Sequence, residues 1–553
     1  MAEERIIVTS ALPYAYSVPH IGNFVGSVLP ADIYFKHLMM EGKDAIFICG
    51  SDQHGTPIEL MAIKKGIEPE ALADGMHHKI KGLFGKFGCT FTHYGKTHSE
   101  ANRATVYEIF RELQRKGHIT ETESMLAYCN TDRRFLVDRL VEGTCPYCGG
   151  KKARGDQCDD CGRLLESSQI IEPHCTLCGG TDIEFRKVKN LALDLPGLQQ
   201  KVGDYIKSAS GNGWSKNAVH KSLSYIEEGL KARDITRRMK WGFPVAEEGY
   251  GDSVFYVWFD ALIGYIGITR EWDGSRWEEY WKKSGVKLIQ FMGKDNLEFH
   301  TLVWPATLIG ADSGFILPHT IYVLEYLTSR SIKFSKSRGV GLNMENALEI
   351  MPSDYWRFAL AHLMPETADS EFSVEALVEV VNNIMNDKIG NFVHRVLTIA
   401  RAHRELLQSE ITIEEREMEE MKRILHGYRD NFDKIRMREA LHSVVGLADM
   451  GNALISARTP WVTAKEAAGN SKKEEEFSKT MGTLLGIARW VGILIWPFAP
   501  DSGREISRHF GMASDPKISD LYEKGVVDWG VELKPVFSKM ADKEREALGA
   551  FSR

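Results

Sequence analysis

Ser10-Ala-Leu-Pro-Tyr-Ala-Tyr-Ser-Val-Pro-His-Ile-Gly-Asn23 lies between an apolar run, Ile6-Ile7-Val8, and a long amphipathic stretch from Phe24 to Met40. That order predicts a strand, a loop and a helix start. Free backbone N–H groups and the helix dipole at such a junction favour an anion. His20 can add side-chain donors, and Gly22 lets a ligand approach the backbone closely. A second apolar run, Asp44-Ala-Ile-Phe-Ile-Cys49, follows the helical pattern, which is the βαβ rhythm of a doubly wound parallel sheet. Such sheets bind ligands beyond the carboxyl ends of their strands. The loop with His20 and the loop Gly50-Ser-Asp-Gln-His-Gly-Thr56 are therefore expected to open on one crevice. The sequence holds neither a Walker A pattern nor a G-x-G-x-x-G fingerprint, so any nucleotide phosphates are held in another way.

At 553 residues the chain is too long for a single core. A hydrophobic fraction of 43% and a charged fraction of 26% are those of a soluble globular protein. No apolar run reaches the roughly 18 residues of a membrane span. The start, Met-Ala-Glu-Glu-Arg, lacks an export pattern, so the cytoplasm is the expected location. A net charge of −7 argues against general affinity for nucleic acid and leaves that task to local patches such as Lys231–Lys240.

Seven of the nine cysteines fall between Cys129 and Cys178, a clustering that points to metal rather than disulfides. Cys145-x2-Cys148-x9-Cys158-x2-Cys161 offers two knuckles and four thiolates for one tetrahedral zinc. Four cysteines close the coordination sphere, so its role is structural. A second site could combine Cys129, Asp132, Cys175 and Cys178. His174 is a competing ligand with awkward geometry beside Cys175, and a knuckle that has lost its metal is the alternative.

The pattern divides the chain into a first half of an α/β catalytic domain (1–118), a zinc-knuckle insertion (119–230), a second α/β half (231–325), a loop and contact region (326–375) and an all-α bundle (376–553). The βαβ rhythm resumes at Lys287-Leu-Ile-Gln-Phe-Met292, followed by Gly293-Lys-Asp-Asn-Leu-Glu-Phe-His300. Arg330–Gly339 is basic, rich in small hydroxyl residues and without an apolar period, as suits an anion-binding loop. From about residue 370, Leu377, Val381, Ile384, Met385, Ile389, Phe392 and Val396 mark a helical face.

His20-Ile-Gly-Asn23 resembles the HIGH element of class I aminoacyl-tRNA synthetases, with Asn in place of the last His. The whole chain is similar to the methionyl-tRNA synthetase family. Ala11-Leu-Pro-Tyr14, His20-Ile-Gly-Asn23, Ser51-Asp-Gln-His-Gly-Thr-Pro57, the four-cysteine insertion, Phe255-Tyr-Val-Trp-Phe-Asp260, Gly293-Lys-Asp295, Lys333-Phe-Ser-Lys-Ser337 and Thr459-Pro-Trp461 follow one another in that family's order. The resemblance implies activation of L-methionine with ATP and Mg2+, then transfer to tRNA(Met). It implies His20, Gly22, Asn23, Gly293, Asp295, Lys333 and Lys336 as the ATP site, with His20, Lys333, Lys336, Asp52 and Arg237 taking part in the chemistry. It implies Ala11, Leu12, Tyr14, Asp52, Trp258, Ala261, Tyr265 and His300 as the methionine pocket, and Asn391, Arg395 and Trp461 as anticodon contacts. Phe334, Leu262 and Asn296 depart from residues common in the family. Two other readings are a class I synthetase for leucine, isoleucine, valine or cysteine, and a non-catalytic RNA-binding paralogue. The compact, closed zinc module speaks against the first, and retention of His20, Asp52, Asp295 and both lysines speaks against the second. A monomer is expected.

Overall fold

Ile6 to Ser10 forms a strand with all five residues buried, as a strand covered on both faces must be. This strand, β1 (Ile6–Ser10), pairs in parallel with β2 (Ala45–Ser51), and β2 pairs with β3 (His93–Lys96). On its other edge β1 pairs in parallel with β4 (Lys287–Gly293), which pairs with β5 (Pro318–Leu324). The spatial order is β5-β4-β1-β2-β3, so the winding reverses between β1 and β4. In such sheets the crevice lies at that reversal, beyond the strand ends. The computed structural model describes residues 4–155, 158, 160–161, 163, 165–329, 332–333 and 341–551.

The insertion leaves the sheet after β3. Ile119–Cys129 pairs antiparallel with Ile183–Leu193, and Arg233–Asp234 extends this ladder. The cysteine-bearing tip carries its own small sheet of Val141–Thr144, Ala153–Arg154 and Ile171–Cys175. This differs from the expected insertion of 119–230. The ladder runs on to Asp234, while the helices Leu195–Ala209 and Lys216–Glu228 return to the central sheet. Their apolar residues Leu198, Val202, Ile206 and Ala218 share a core with Leu288 and Ile321. Tyr205 Oη donates to the Pro318 carbonyl (2.6 Å) and Trp214 Nε1 to that of His319 (3.0 Å), closing the helices over β5.

The carboxyl-terminal region is helical, as its period predicts. One core runs without a break from the sheet into that bundle. It includes Val8, Phe47 and Phe291 of the sheet together with Trp356, Leu441, Trp490 and Trp496. Helix α1 (Leu29–Met40) connects the two, packing on β1, β2 and β4 and also on α4 (Ser353–His362) and α5 (Met437–Arg458); α6 (Ser471–Ile495) packs on α5, α2 (Pro69–Lys86) lies on β2, and α3 (Val257–Trp272) belongs to the separate core on the other face of the sheet.

At this junction three charged side chains are fully buried. Lys36 Nζ lies 2.8 Å from the Asp32 carboxylate, and Arg357 Nη2 lies 2.7 Å from its other oxygen. Lys36 also donates to the Gly88 carbonyl (2.8 Å) and Thr90 Oγ1 (2.9 Å). Arg357 reaches the carbonyls of Phe87, Pro497 and Phe498 at 3.2, 2.6 and 3.3 Å. Asp32 thus ties α1, the segment after α2, α4 and the turn after α6 into one knot. Removing one partner of a buried ion pair leaves an uncompensated charge and typically costs about 3–5 kcal/mol. Arg357→Met is therefore expected to lower the unfolding free energy in urea by about that amount, and a loss below about 1 kcal/mol, the range of a surface pair, would refute the role given to the knot.

Candidate active site

Three loops converge at the winding reversal. The first follows β1, the second follows β2, and the third follows β4. Asp52 N donates to the Pro13 carbonyl (2.9 Å) and Ala15 N to the Asp52 carbonyl (2.8 Å), so the first two loops are joined as a short piece of sheet. Together they bound a crevice of about 410 Å3.

His20 is the N-cap of a helix that runs through Ile21–Asn23, a π-helical turn at Phe24–Val28 and α1. Its Nδ1 accepts from the Asn23 backbone N–H (3.0 Å), and Asn23 Oδ1 accepts from the His20 N–H (3.2 Å). Each residue satisfies an otherwise unpaired donor of the other, which is a capping box. Asn23 is thus a structural member of the motif. Because Nδ1 is an acceptor, the neutral ring carries its proton on Nε2. The His20 loop is also held by a segment distant in sequence: Ile21 N donates to the Leu342 carbonyl and Met344 N to that of Pro19, each at 3.0 Å.

Asp52 is buried at the crevice wall, where it accepts a bond from the His54 N–H (3.2 Å). Burial, and then the nearby Asp260 carboxylate, push its pKa well above the usual carboxylate range. Beside it the wall is aromatic. Tyr14 meets Trp258 edge to face with ring centroids 6.3 Å apart, and Trp258 stacks on Phe299 at 3.8 Å. His300 Nδ1 must donate to the Asn296 carbonyl (2.9 Å), which leaves Nε2 to accept from Tyr265 Oη (2.8 Å). Burial lowers the His300 pKa to about 4, so this ring is neutral and polar without a charge. Asn296 donates through Nδ2 to Asp295 Oδ1 (3.3 Å), and Leu262 is a buried part of the wall.

At the end of β4, a Cβ on Gly293 would stand 2.9 Å from Asp295 Oδ1, so any side chain there would push the Asp295 carboxylate aside. Lys294, between them, turns away to Glu325 (2.8 Å) and Asp369 (2.5 Å).

Ala11, Leu12, Tyr14, His20, Gly22, Asn23, Asp52, Trp258, Ala261, Tyr265, Gly293, Asp295 and His300 all line this one crevice. Arg237 does not. Its guanidinium pairs with Asp234 (2.9 Å) and lies over the Tyr256 ring (4.4 Å). Two adjacent arginines in the sequence gave no means of telling which would point inward. Lys333 is in a short strand, Ile332–Lys333, paired with Leu327–Ser329, and Lys336 lies outside the described residues. Arg139 also lines the crevice, with no motif or spacing to announce it, because it arrives from the insertion by tertiary closure alone.

Away from the crevice, Cys145, Cys148, Cys158 and Cys161 bring four sulfurs within 4.8 Å of one another, and so do the ligand atoms of Cys129, Asp132, Cys175 and Cys178. The two clusters are built alike. Gly150 N approaches Cys148 Sγ and Gly180 N approaches Cys178 Sγ, both at 3.4 Å, and Gly149 and Gly179 have φ of 71° and 72°. In the bundle, Arg395 lies over the Trp461 ring (4.6 Å), and Asn391, one turn earlier on the same exposed face, bonds Asp387 (3.2 Å).

The family model described as tRNA synthetases class I (M) matches residues 6–397, and that described as the anticodon binding domain of methionyl tRNA ligase matches residues 408–550. The methionine–tRNA ligases of Caldivirga maquilingensis and Thermofilum pendens are each 38% identical to the chain, over 99% of it and 93% and 97% of their own lengths. Among solved structures, a methionyl-tRNA synthetase of Mycobacterium tuberculosis bound by methionyl-adenylate superposes with a TM-score of 0.78 at 21% identity, covering 97% of this chain and 100% of that one.

The capping box makes a local test possible. Asn23→Ala removes its acceptor and is expected to cost about 0.5–2 kcal/mol of thermal stability, whereas Asn23→Asp, which keeps an oxygen there, should hold most of it. Equal losses in the two variants would show that the reciprocal bond contributes nothing.

Proposed function

The chain belongs to the methionyl-tRNA synthetases of class I, and with that as premise we propose how its crevice joins methionine to ATP and then to tRNA. The observation that carries the proposal is the meeting of His20, Asp52, Gly293 and Asp295 around one cavity. ATP lies with its phosphates at the helix start, where backbone donors and the His20 Nε2–H face them, and with its ribose over Gly293 and its hydroxyls on Asp295. Mg2+ accompanies the phosphates. Methionine places its ammonium on Asp52 and its thioether among Leu12, Tyr14, Trp258 and Tyr265, where sulfur–ring contacts are worth about 0.3–1.5 kcal/mol each.

The methionine carboxylate attacks the α-phosphorus. A P–O bond forms to it, the bond to pyrophosphate breaks, and methionyl-adenylate remains. Negative charge grows on the leaving group, so the reaction calls for fixed donors and cations rather than a protein nucleophile. His20 supplies one from the capped helix, Arg139 another from the insertion, and Lys333 and Lys336 the rest from their loop. The terminal hydroxyl of tRNA(Met) then takes the methionyl group from the adenylate. Arg395 and Trp461 offer a cation and a ring face on which an unpaired anticodon base can stack, worth about 1–3 kcal/mol. Rejection of homocysteine, one methyl shorter, is limited by the modest gain of about 10- to 200-fold that an apolar pocket makes per carbon.

Zinc in the four-cysteine cluster, and a second zinc held by three thiolates and the Asp132 carboxylate, suit the donor sets. Their repeated backbone geometry supports the second as much as the first. Metal analysis of the purified chain should give two zinc ions, and Asp132→Ala should lower the count toward one. A count of one in the unaltered chain would rule out the second ion.

Exchange of labelled pyrophosphate into ATP tests the whole reading. Methionine should stimulate it, and His20→Ala, which removes one transition-state donor worth about 3–4 kcal/mol, should slow it a hundredfold or more. Stimulation by another amino acid and not by methionine would overturn the proposal.

A further inference from the structure

Behind Asp52 the wall contains a second buried carboxylate with a hydrogen-bonded way out. Asp260, on α3, is fully buried, and its Oδ2 bonds His54 Nδ1. His54 Nε2 bonds His98 Nδ1 at 2.8 Å, and the far nitrogen of His98 lies 3.9 Å from Glu70 Oε1 with the ring about a quarter exposed. The chain of three groups is walled by rings: Trp241 and Phe243 both pack against His54 and His98. At its inner end Asp260 Oδ1 is buried with no hydrogen-bond partner among the described residues. An unpartnered carboxylate oxygen in that position is costly if ionised and tolerable if protonated. The other charged or titratable groups around the chain are Asp52 and Tyr14 at the crevice, Asp74 and His77 of α2, Lys96 of β3, and Glu70 outside.

We propose that Asp260, His54 and His98 form a charge-compensating relay that expels a proton to solvent when the methionine ammonium binds Asp52. This rests on the reading of Asp52 as the ammonium partner. Two neighbouring carboxylates in a dry wall cannot both be ionised without a cation. In the empty site Asp260 holds a proton, which Oδ2 donates to His54 Nδ1. His54 Nε2–H donates to His98 Nδ1, and His98 Nε2–H faces water. The arriving ammonium supplies the missing positive charge. The Asp260 proton then passes to His54 Nδ1, the His54 Nε2 proton passes to His98 Nδ1, and the His98 Nε2 proton leaves. Each bond to hydrogen that breaks is matched by one that forms, and one proton is released for one cation bound. Asp260 and His54 are thus positioning residues, acting on substrate through Asp52. Burial raises both Asp260 and Asp52 and lowers His98, while the bond to His54 draws Asp260 back toward its ionised form, the direction the relay takes once the ammonium is bound.

The test is calorimetry of L-methionine binding in buffers of different ionisation enthalpy at one pH, which counts protons exchanged. The full-length chain should release about one proton per methionine near neutral pH, and the hydroxy acid analogue of methionine, which has no ammonium, should release none. Asp260→Asn should abolish the release and flatten the rise of the methionine KM on acidification. His98→Asn should leave the count in place and slow the release seen with a pH indicator in stopped flow. Loss of one protonated-carboxyl band on adding methionine, in the infrared difference spectrum of the unaltered protein, gives a readout that needs no variant. Full release from a folded Asp260→Asn protein, or no loss of the carboxyl band, overturns the relay. Asp52→Asn separates the two readings: if it binds methionine as tightly as the original, the Asp52 assignment fails, whereas if it alone loses affinity while Asp260→Asn still releases its proton, only the relay fails.

Discussion

β1 is hydrogen-bonded in parallel on both edges, Ile6–Thr9 to β2 and Ile6–Ser10 to β4, and the functional geometry follows from that double pairing. The pairing fixes register. Ser10 stands opposite Phe291, two residues before Gly293, so the loop that begins at Ala11 and the loop that begins at Gly293 must leave the sheet at the same level. A one-residue slip would turn every side chain of β1 to the other face. With both faces buried such a slip gains nothing, so two loops some 280 residues apart meet in one place. β2 completes the arrangement by setting Asp52 against Pro13 and Ala15.

The same constraint extends to the bundle. The helix that His20 caps continues through the π-helical turn into α1, and Asp32 on α1 is gripped by Lys36 and Arg357. Arg357 in turn holds the carbonyls of Pro497 and Phe498, just past the end of α6. Displacing α6 relative to the sheet would break charge-assisted bonds in a water-free environment, where each is strong. The crevice and the anticodon-binding bundle are therefore parts of one rigid packing, joined at the helix that presents His20.

Most of the crevice was legible because its residues follow strand ends. Val8 and Ile48 mark strands by apolar runs, Asp52 and Gly293 stand at the ends of such runs, and His20 lies in the loop after one, so topology converts sequence order into proximity. Tyr14, Trp258 and His300 needed the family resemblance, since an aromatic residue in an apolar stretch is as often plain core. Arg139 and the partners of Asp260 were not legible by either route. Arg139 reaches the crevice through the folding of the insertion over it, and His98 reaches His54 because β3 lies beside β2. Neither contact leaves a period or a spacing in the chain. Asn23 is a related case: nothing in the pattern around it announces that its oxygen is the acceptor that closes the cap on His20.

The insertion, which reads as an interruption, is built into the site through its second knuckle. Thr176 lies between Cys175 and Cys178, and its backbone N–H donates to the Leu140 carbonyl while its hydroxyl donates to that of Arg139, both at 3.0 Å. Val141 pairs with Cys175 in the small sheet immediately after. The turn Asp138–Leu140, which carries Arg139 to the crevice, is thus fixed to a loop of four residues bounded by two thiols. Such a loop has little apolar surface of its own, and its conformation depends on what joins its ends. Whatever closes the Cys129, Asp132, Cys175 and Cys178 cluster therefore orders the Arg139 turn as well. That dependence explains in physical terms how a module so far from β1 in sequence can place a cation at the wall of the crevice.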